Sequence, residues 1–135
     1  MAFVLNKLNM LPLESTKVIV ILAPDPASSD TNIDLTSTDN TTLYTTPTAN
    51  VSLVKSLLVS NDAGSSCNIT ITLTDASGNV FSLFKTKAVD TNTTVELLTH
   101  PLVVEESEIL KVQASDANEL HVIASILEIQ PREVT

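Results

Sequence analysis

From Val51 to Ile129 the chain alternates between short apolar, β-branched segments and short polar turns. The turns are Asn61-Asp62-Ala63-Gly64, Asp75-Ala76-Ser77-Gly78-Asn79, Asp90-Thr91-Asn92-Thr93 and Ser115-Asp116-Ala117-Asn118. Segments of this length, rich in Val, Ile, Leu and Thr and bounded by Asp, Asn, Ser and Gly, predict a run of strands. In Asn68–Thr74, Ile69, Ile71 and Leu73 alternate with Asn68, Thr70, Thr72 and Thr74, so one face is expected buried and the other wet. Leu110, Val112 and Ala114 against Lys111 and Gln113 repeat the pattern. Gly78, free to take a left-handed backbone, predicts a tight hairpin across Asp75–Asn79. Strands are expected near 17–22, 41–46, 51–60, 67–74, 79–86, 94–98, 109–114 and 119–129. The fold class is all-β: a single β-sandwich, jelly-roll or related Greek-key, with an extended N-terminal arm.

Two segments break the alternation. Leu120–Ile129 is apolar on both faces, and Val54, Leu57, Leu58 and Val59 behave similarly. A sandwich normally wets one face of each sheet, so such strands call for cover from the arm or from another subunit. The arm has the means, since Phe3, Leu5, Leu8, Met10, Leu11 and Leu13 crowd its first thirteen residues. It packs either on its own domain or on a neighbour. Lys17–Leu22 reads as a short buried or interface strand, and Val18 and Val20 join Ile123 and Leu127 as candidate interface residues. Ala23–Asn40 reads as a long surface loop with a short strand near Ile33 and Leu35. The expected division is an arm, first strand and loop over 1–40, a sandwich over 41–130 and a tail over 131–135.

Composition removes several functions. At 135 residues there is room for one domain with its own core. A net charge of −9 leaves only seven Lys and Arg to neutralise phosphates, which argues against nucleic acid and against anionic membranes. The longest apolar run near the N-terminus, Val18–Ala23, is far short of the roughly 20 residues of a membrane span. Residues 1–27 lack the basic start and unbroken apolar core of a signal peptide. Together with the single Cys67 this fits a reducing cytoplasm, where the triplets at Asn40, Asn50, Asn68 and Asn92 carry no glycans. With no Trp and one Tyr, an aromatic platform for sugars or bases is missing.

Nothing marks catalysis. Two glycines, Gly64 and Gly78, cannot build a phosphate loop. No nucleophile elbow surrounds a Ser, and Cys67 at a strand start reads as a packing residue. One Cys, His100 and His121 cannot assemble the usual zinc set. His121 is expected half-buried in the last strand, and His100 solvated before Pro101. Glu105, Glu106 and Glu108 read as a solvated bend, and Asp62, Asp75, Asp90 and Asp116 as turn openers that cap backbone N–H groups. No catalytic residue, cofactor or metal site is expected.

Family resemblance begins at Thr42-Leu43-Tyr44-Thr45-Thr46-Pro47 and Val54-Lys55-Ser56-Leu57-Leu58-Val59-Ser60-Asn61. It continues through Cys67–Thr74, Thr94-Val95-Glu96-Leu97-Leu98 and Pro101-Leu102-Val103-Val104. This order resembles small all-β virion structural proteins of tailed bacteriophages, with those of marine and cyanobacterial phages most alike, over Thr41–Ile129. Phage tail and fibre sandwich modules share the same diffuse pattern. The chain departs from the family in its scarcity of glycine, and its first forty residues lie outside the resemblance. The resemblance implies a non-enzymatic capsid decoration (cement) protein on the outer head surface, made in the host cytoplasm. Its implied partners are the major capsid protein and copies of itself, often as trimers. The alternative is a tail, fibre or adhesin module that binds a host surface sugar or protein.

Overall fold

The two segments with apolar residues on both faces pair with each other, and one sheet is assembled on that pair. The structure, a computed structural model, describes residues 27–130. Among them the regular elements are ten strands: β1 (Ala27–Ser28), β2 (Thr31–Asp34), β3 (Thr41–Thr45), β4 (Val51–Asn61), β5 (Cys67–Thr74), β6 (Val80–Val89), β7 (Thr93–Glu96), β8 (Leu102–Val104), β9 (Ile109–Ala114) and β10 (Leu120–Ile129). No helix among the described residues is long and apolar enough to cross a membrane.

In the six-stranded sheet, β1 and β2 lie end to end on one side of β10, while β7 and β8 lie end to end on the far side of β4. Counting each such pair as one interrupted strand gives the order β1/β2–β10–β4–β7/β8. The four-stranded sheet runs β3–β9–β5–β6, and all these pairings are antiparallel. Eight strand positions in two facing sheets with these crossovers form a jelly roll. The core lies between the sheets: Val54, Leu57, Val59, Leu120, Val122 and Ile126 from one, Ile69, Ile71, Leu110 and Val112 from the other.

Register irregularities decide which side chains enter that core. On β10, Ser125 faces Ser56 and Ile126 faces Val54, which leaves Lys55 without a partner. This one-residue bulge shifts the parity of β4, so Ser52 and Val54 point inward before it and Leu57, Val59 and Asn61 after it. A second irregularity at Leu43 turns both Leu43 and Tyr44 into the core. On β6 the ladder is broken opposite Thr70, where Thr86 holds φ 48°. Its amide donates to the Thr70 hydroxyl at 3.1 Å instead of to a ladder carbonyl.

The expected strands from 41 to 129 each coincide with an observed element, while the one at 17–22 lies outside the described residues. The stretch read as a loop, 23–40, also carries β1 and β2 on the edge of β10, with β2 at the expected short strand. β8 was not expected, because three residues between Pro101 and Glu105 are too few to show a period. Glycine scarcity is met by Asn92 (φ 53°) and Asn118 (φ 60°), since Asn tolerates the left-handed region. Gly78 (φ 89°) closes the β5–β6 hairpin, its amide donating to the Asp75 carbonyl at 3.0 Å.

Val54 and Leu57 both face the core although they stand three positions apart, so the bulge absorbs one extra residue. Deleting Lys55 removes that residue and leaves a regular alternation with Val54 and Leu57 still inward. The deletion variant is expected to keep its cooperative urea transition, and Lys55→Ala, which trims an exposed side chain, should stay within about 0.5 kcal/mol of the parent. A deletion variant that no longer folds would contradict the register.

Candidate functional site

Two polar bridges tie the sheets together. Tyr44 on β3 donates its phenol proton to Glu128 Oε1 on β10 at 2.6 Å and accepts from the Ser52 hydroxyl on β4 at 2.7 Å. Burial, reinforced by the hydrogen bond to Glu128, pushes the Tyr44 phenol up to about 12. The one tyrosine of the chain is therefore committed to the interior and offers no stacking surface. Asn61, at the end of β4, donates to the carbonyls of Ser65 (2.9 Å) and Val89 (3.0 Å) and accepts from the Ala63 amide (2.9 Å). The bond to Val89 fastens β4 to the end of β6, and the bonds to Ser65 and Ala63 brace the connection between β4 and β5.

With the core filled, the outer faces carry what is left to interact. Leu127, Leu53 and Val103 stand opposite one another on β10, β4 and β8, and Ile129 stands opposite Val51. Further along, Ile123 faces Leu58. All seven alternate with core-facing neighbours, so they form an apolar stripe on the outside of the six-stranded sheet. Ile123 is 48% exposed and Val103 is 53% exposed. Two expected interface residues, Ile123 and Leu127, thus share one face, while Phe3, Leu5, Leu8, Met10, Leu11, Leu13, Val18 and Val20 lie outside the described residues. Leu53 and Val103 were missed, because only the cross-strand register places them in the stripe.

The outer face of the four-stranded sheet is different in kind. Thr38, Asn68, Thr70, Thr86, Gln113 and Ser115 line a hollow of about 270 Å³ with no charged group in its wall. Gln113 donates to the Thr38 carbonyl at 2.8 Å, which leaves its side-chain oxygen available to accept.

The titratable groups serve structure. Partial burial pulls Glu96 upward, but the Ser56 hydroxyl and the amides of Leu57 (2.8 Å) and Leu98 (3.0 Å) outweigh it and hold the carboxyl below its ordinary value. Asp75 is held below the usual range by the Asn79 side-chain amide, helped by backbone amides of the hairpin. Of the four aspartates read as turn caps, Asp75 accepts backbone amides, those of Ser77 and Asn79. In the Asn61 turn that task falls to Asn61 itself, and Asp62 instead lies 3.2 Å from His121 Nε2. Half-buried His121 also meets Asp34 through Nδ1 at 3.3 Å, and His100 is exposed. Cys67, Asp116 and Glu119 place potential ligand atoms within 4.8 Å of one another, one donor short of a closed tetrahedral set. The buried thiol packs 3.4 Å from the Ser115 hydroxyl, which gives its own proton to Asp116.

No protein-family model matches the chain, and no curated protein matches it in sequence. Among solved structures it is similar to a chain of the infectious bursal disease virus T13 particle, at 13% identity and TM-score 0.48 over 88% of this chain. The chain spans about a third (34%) of that chain's length. It is also similar to a chain of the virus-like particle of the extra small virus of the prawn Macrobrachium rosenbergii, at 10% identity and TM-score 0.43, covering 92% of each chain. A pentameric capsid protein from metagenomic phage sequences is similar at 19% identity and TM-score 0.41, over 96% of this chain and 90% of that one.

Two outcomes check the polar bridges. Because Tyr44 is the one tyrosine in a chain without Trp, tyrosinate absorbance reads it alone. The fold favours the neutral phenol, so its stabilisation is whole below 10.0 and fades as pH climbs toward about 12. Absorbance should stay flat through pH 10, and a rise there would contradict the bridge; Tyr44→Phe should cost about 1–3 kcal/mol by leaving Ser52 and Glu128 unpartnered. At the acid end the sign reverses: Glu96 and Asp75 stabilise above the unfolded carboxylate range, and this is lost as pH falls through their lowered folded values. Glu96→Gln should flatten the fall of the urea midpoint below about pH 5, and an unchanged acid limb would count against its role.

Proposed function

We propose that this chain is a non-enzymatic virion structural protein of the capsid decoration type. In this reading it binds the major capsid protein on the outer surface of the head, staples neighbouring subunits and acts as a homo-oligomer, a trimer. The observation that carries the proposal is the apolar stripe on the outside of the six-stranded sheet, with Val103 and Ile123 about half exposed. A freestanding sandwich gains nothing from such a face, whereas a subunit that lives against others does. Each Leu or Ile covered on assembly contributes about 1.5–3 kcal/mol before ordering costs. The acidic charge of −9 supports the same reading, because it favours solubility at high copy number and disfavours nucleic acid and anionic lipid as partners. In this account Met1–Leu13 is an intermolecular clamp.

One observation favours the runner-up, a tail or fibre module binding a host surface sugar. The neutral hollow bounded by Asn68, Thr70 and Gln113 offers hydroxyl and amide groups suited to a polyhydroxylated ligand.

Mass spectrometry of separated heads and tails decides between the two readings: hundreds of copies in heads are expected, and a few copies confined to tails would refute decoration. Deleting residues 1–13 should leave a folded domain that no longer binds heads. A truncation that melts the isolated, monomeric domain would identify those residues as an intramolecular lid instead.

A further inference from the structure

Among the described residues, one sheet edge is open beside exposed apolar side chains. β6 is the outer strand of the four-stranded sheet and, among the described residues, forms ladder bonds with β5 alone. Its first half, Val80-Phe81-Ser82-Leu83-Phe84, has no charge, and Val80 and Phe81 are 62% and 53% exposed. The second half is protected in the usual ways: Lys85 and Lys87 put charge on the edge, and the irregularity at Thr86 spoils the ladder. An uncharged, extended edge with unpaired N–H and C=O groups is a template for another strand. Main-chain bonds there supply affinity, and alternate side chains supply fit.

We propose that Lys17–Leu22 of a neighbouring copy adds as a strand along Val80–Phe84, linking copies head to tail into a closed ring; this rests on the reading of the N-terminal arm as an intermolecular clamp. The segment Lys17-Val18-Ile19-Val20-Ile21-Leu22 holds five consecutive apolar residues, four of them β-branched, which is the composition such an edge accepts. Topology points to a neighbour. β1 lies on the side of the sandwich where β2 packs beside β3, whereas β6 packs beside β7 on the opposite side. Crossing three strand spacings and the gap between sheets takes about 24 Å. Ala23–Pro26, the four residues between the segment and β1, reach about 14 Å when fully extended. A donor strand at one edge and an acceptor at the opposite edge make a heterologous contact, which closes into a ring when the rotation allows.

Two full-length variants and their mixture test this by analytical ultracentrifugation. Val80→Lys with Phe81→Lys blocks the acceptor edge through two exposed side chains, and Val18→Asp with Val20→Asp blocks the donor; circular dichroism and melting confirm that each remains folded. The parent should sediment as a ring and each variant alone as a monomer. An equimolar mixture should stop at a heterodimer of twice the monomer mass, because only one donor–acceptor contact survives. A parent that is monomeric, or a mixture that stays monomeric, overturns the pairing. Should the acceptor variant form rings while the donor variant does not, the arm is a clamp seated elsewhere. Should both variants form rings, the pairing falls, and the clamp reading is left to the 1–13 deletion on heads.

Discussion

Pairing of β10 with β4 over ten residues is the constraint on which the rest of the molecule depends. β1 and β2 find their places on the free side of β10, and β7 and β8 on the free side of β4. The pleat of that central pair divides its side chains strictly between two faces. Val54, Leu57, Val59, Val122 and Ile126 fill the space against Ile69, Ile71, Leu110 and Val112, and what stands on the other face has nowhere inside to go. The outer apolar stripe is thus a direct consequence of the central register combined with a sequence that is apolar at both parities. The bulge at Lys55 is part of the same constraint. Without it the two ends of β4 could not both aim Val54 and Leu57 at the core.

Legibility in the sequence followed how local the determining physics is. β5 and β9 could be read almost residue by residue, because Ile69, Ile71, Leu110 and Val112 alternate with polar neighbours and the ladder between these two strands is regular. The Asp75–Asn79 hairpin was legible for the same reason, its glycine and aspartate acting within five residues. β4 read as apolar on both faces partly because a one-residue bulge is invisible to a period-two count. Strand order, the short β8, and the membership of Leu53 and Val103 in the stripe depend on long-range register, which no local pattern carries. Ile123 and Leu127 stood out because they break an alternation that their own strand otherwise keeps.

The polar interior groups join the sheets. Tyr44, Ser52 and Glu128 form one closed set, and Asn61 with the carbonyls of Ser65 and Val89 forms another. Buried polar groups that satisfy one another fix the relative position of two sheets more sharply than apolar packing alone, because an unmade bond in the interior is costly. In the role proposed above, rigidity of this kind keeps the outer face fixed. The two outer faces then differ usefully: one is apolar and suited to being covered, and the other is polar and suited to solvent.

The central claim is that the outer face of the six-stranded sheet is covered when the protein is in its working state. Hydroxyl-radical footprinting of the free protein and of the protein bound to heads reads side-chain exposure directly. The account predicts that Val103, Ile123 and Leu127 lose reactivity on binding while the wall of the opposite hollow, Asn68 and Gln113, keeps its reactivity. Unchanged reactivity at Val103 and Ile123 in the bound protein would contradict it.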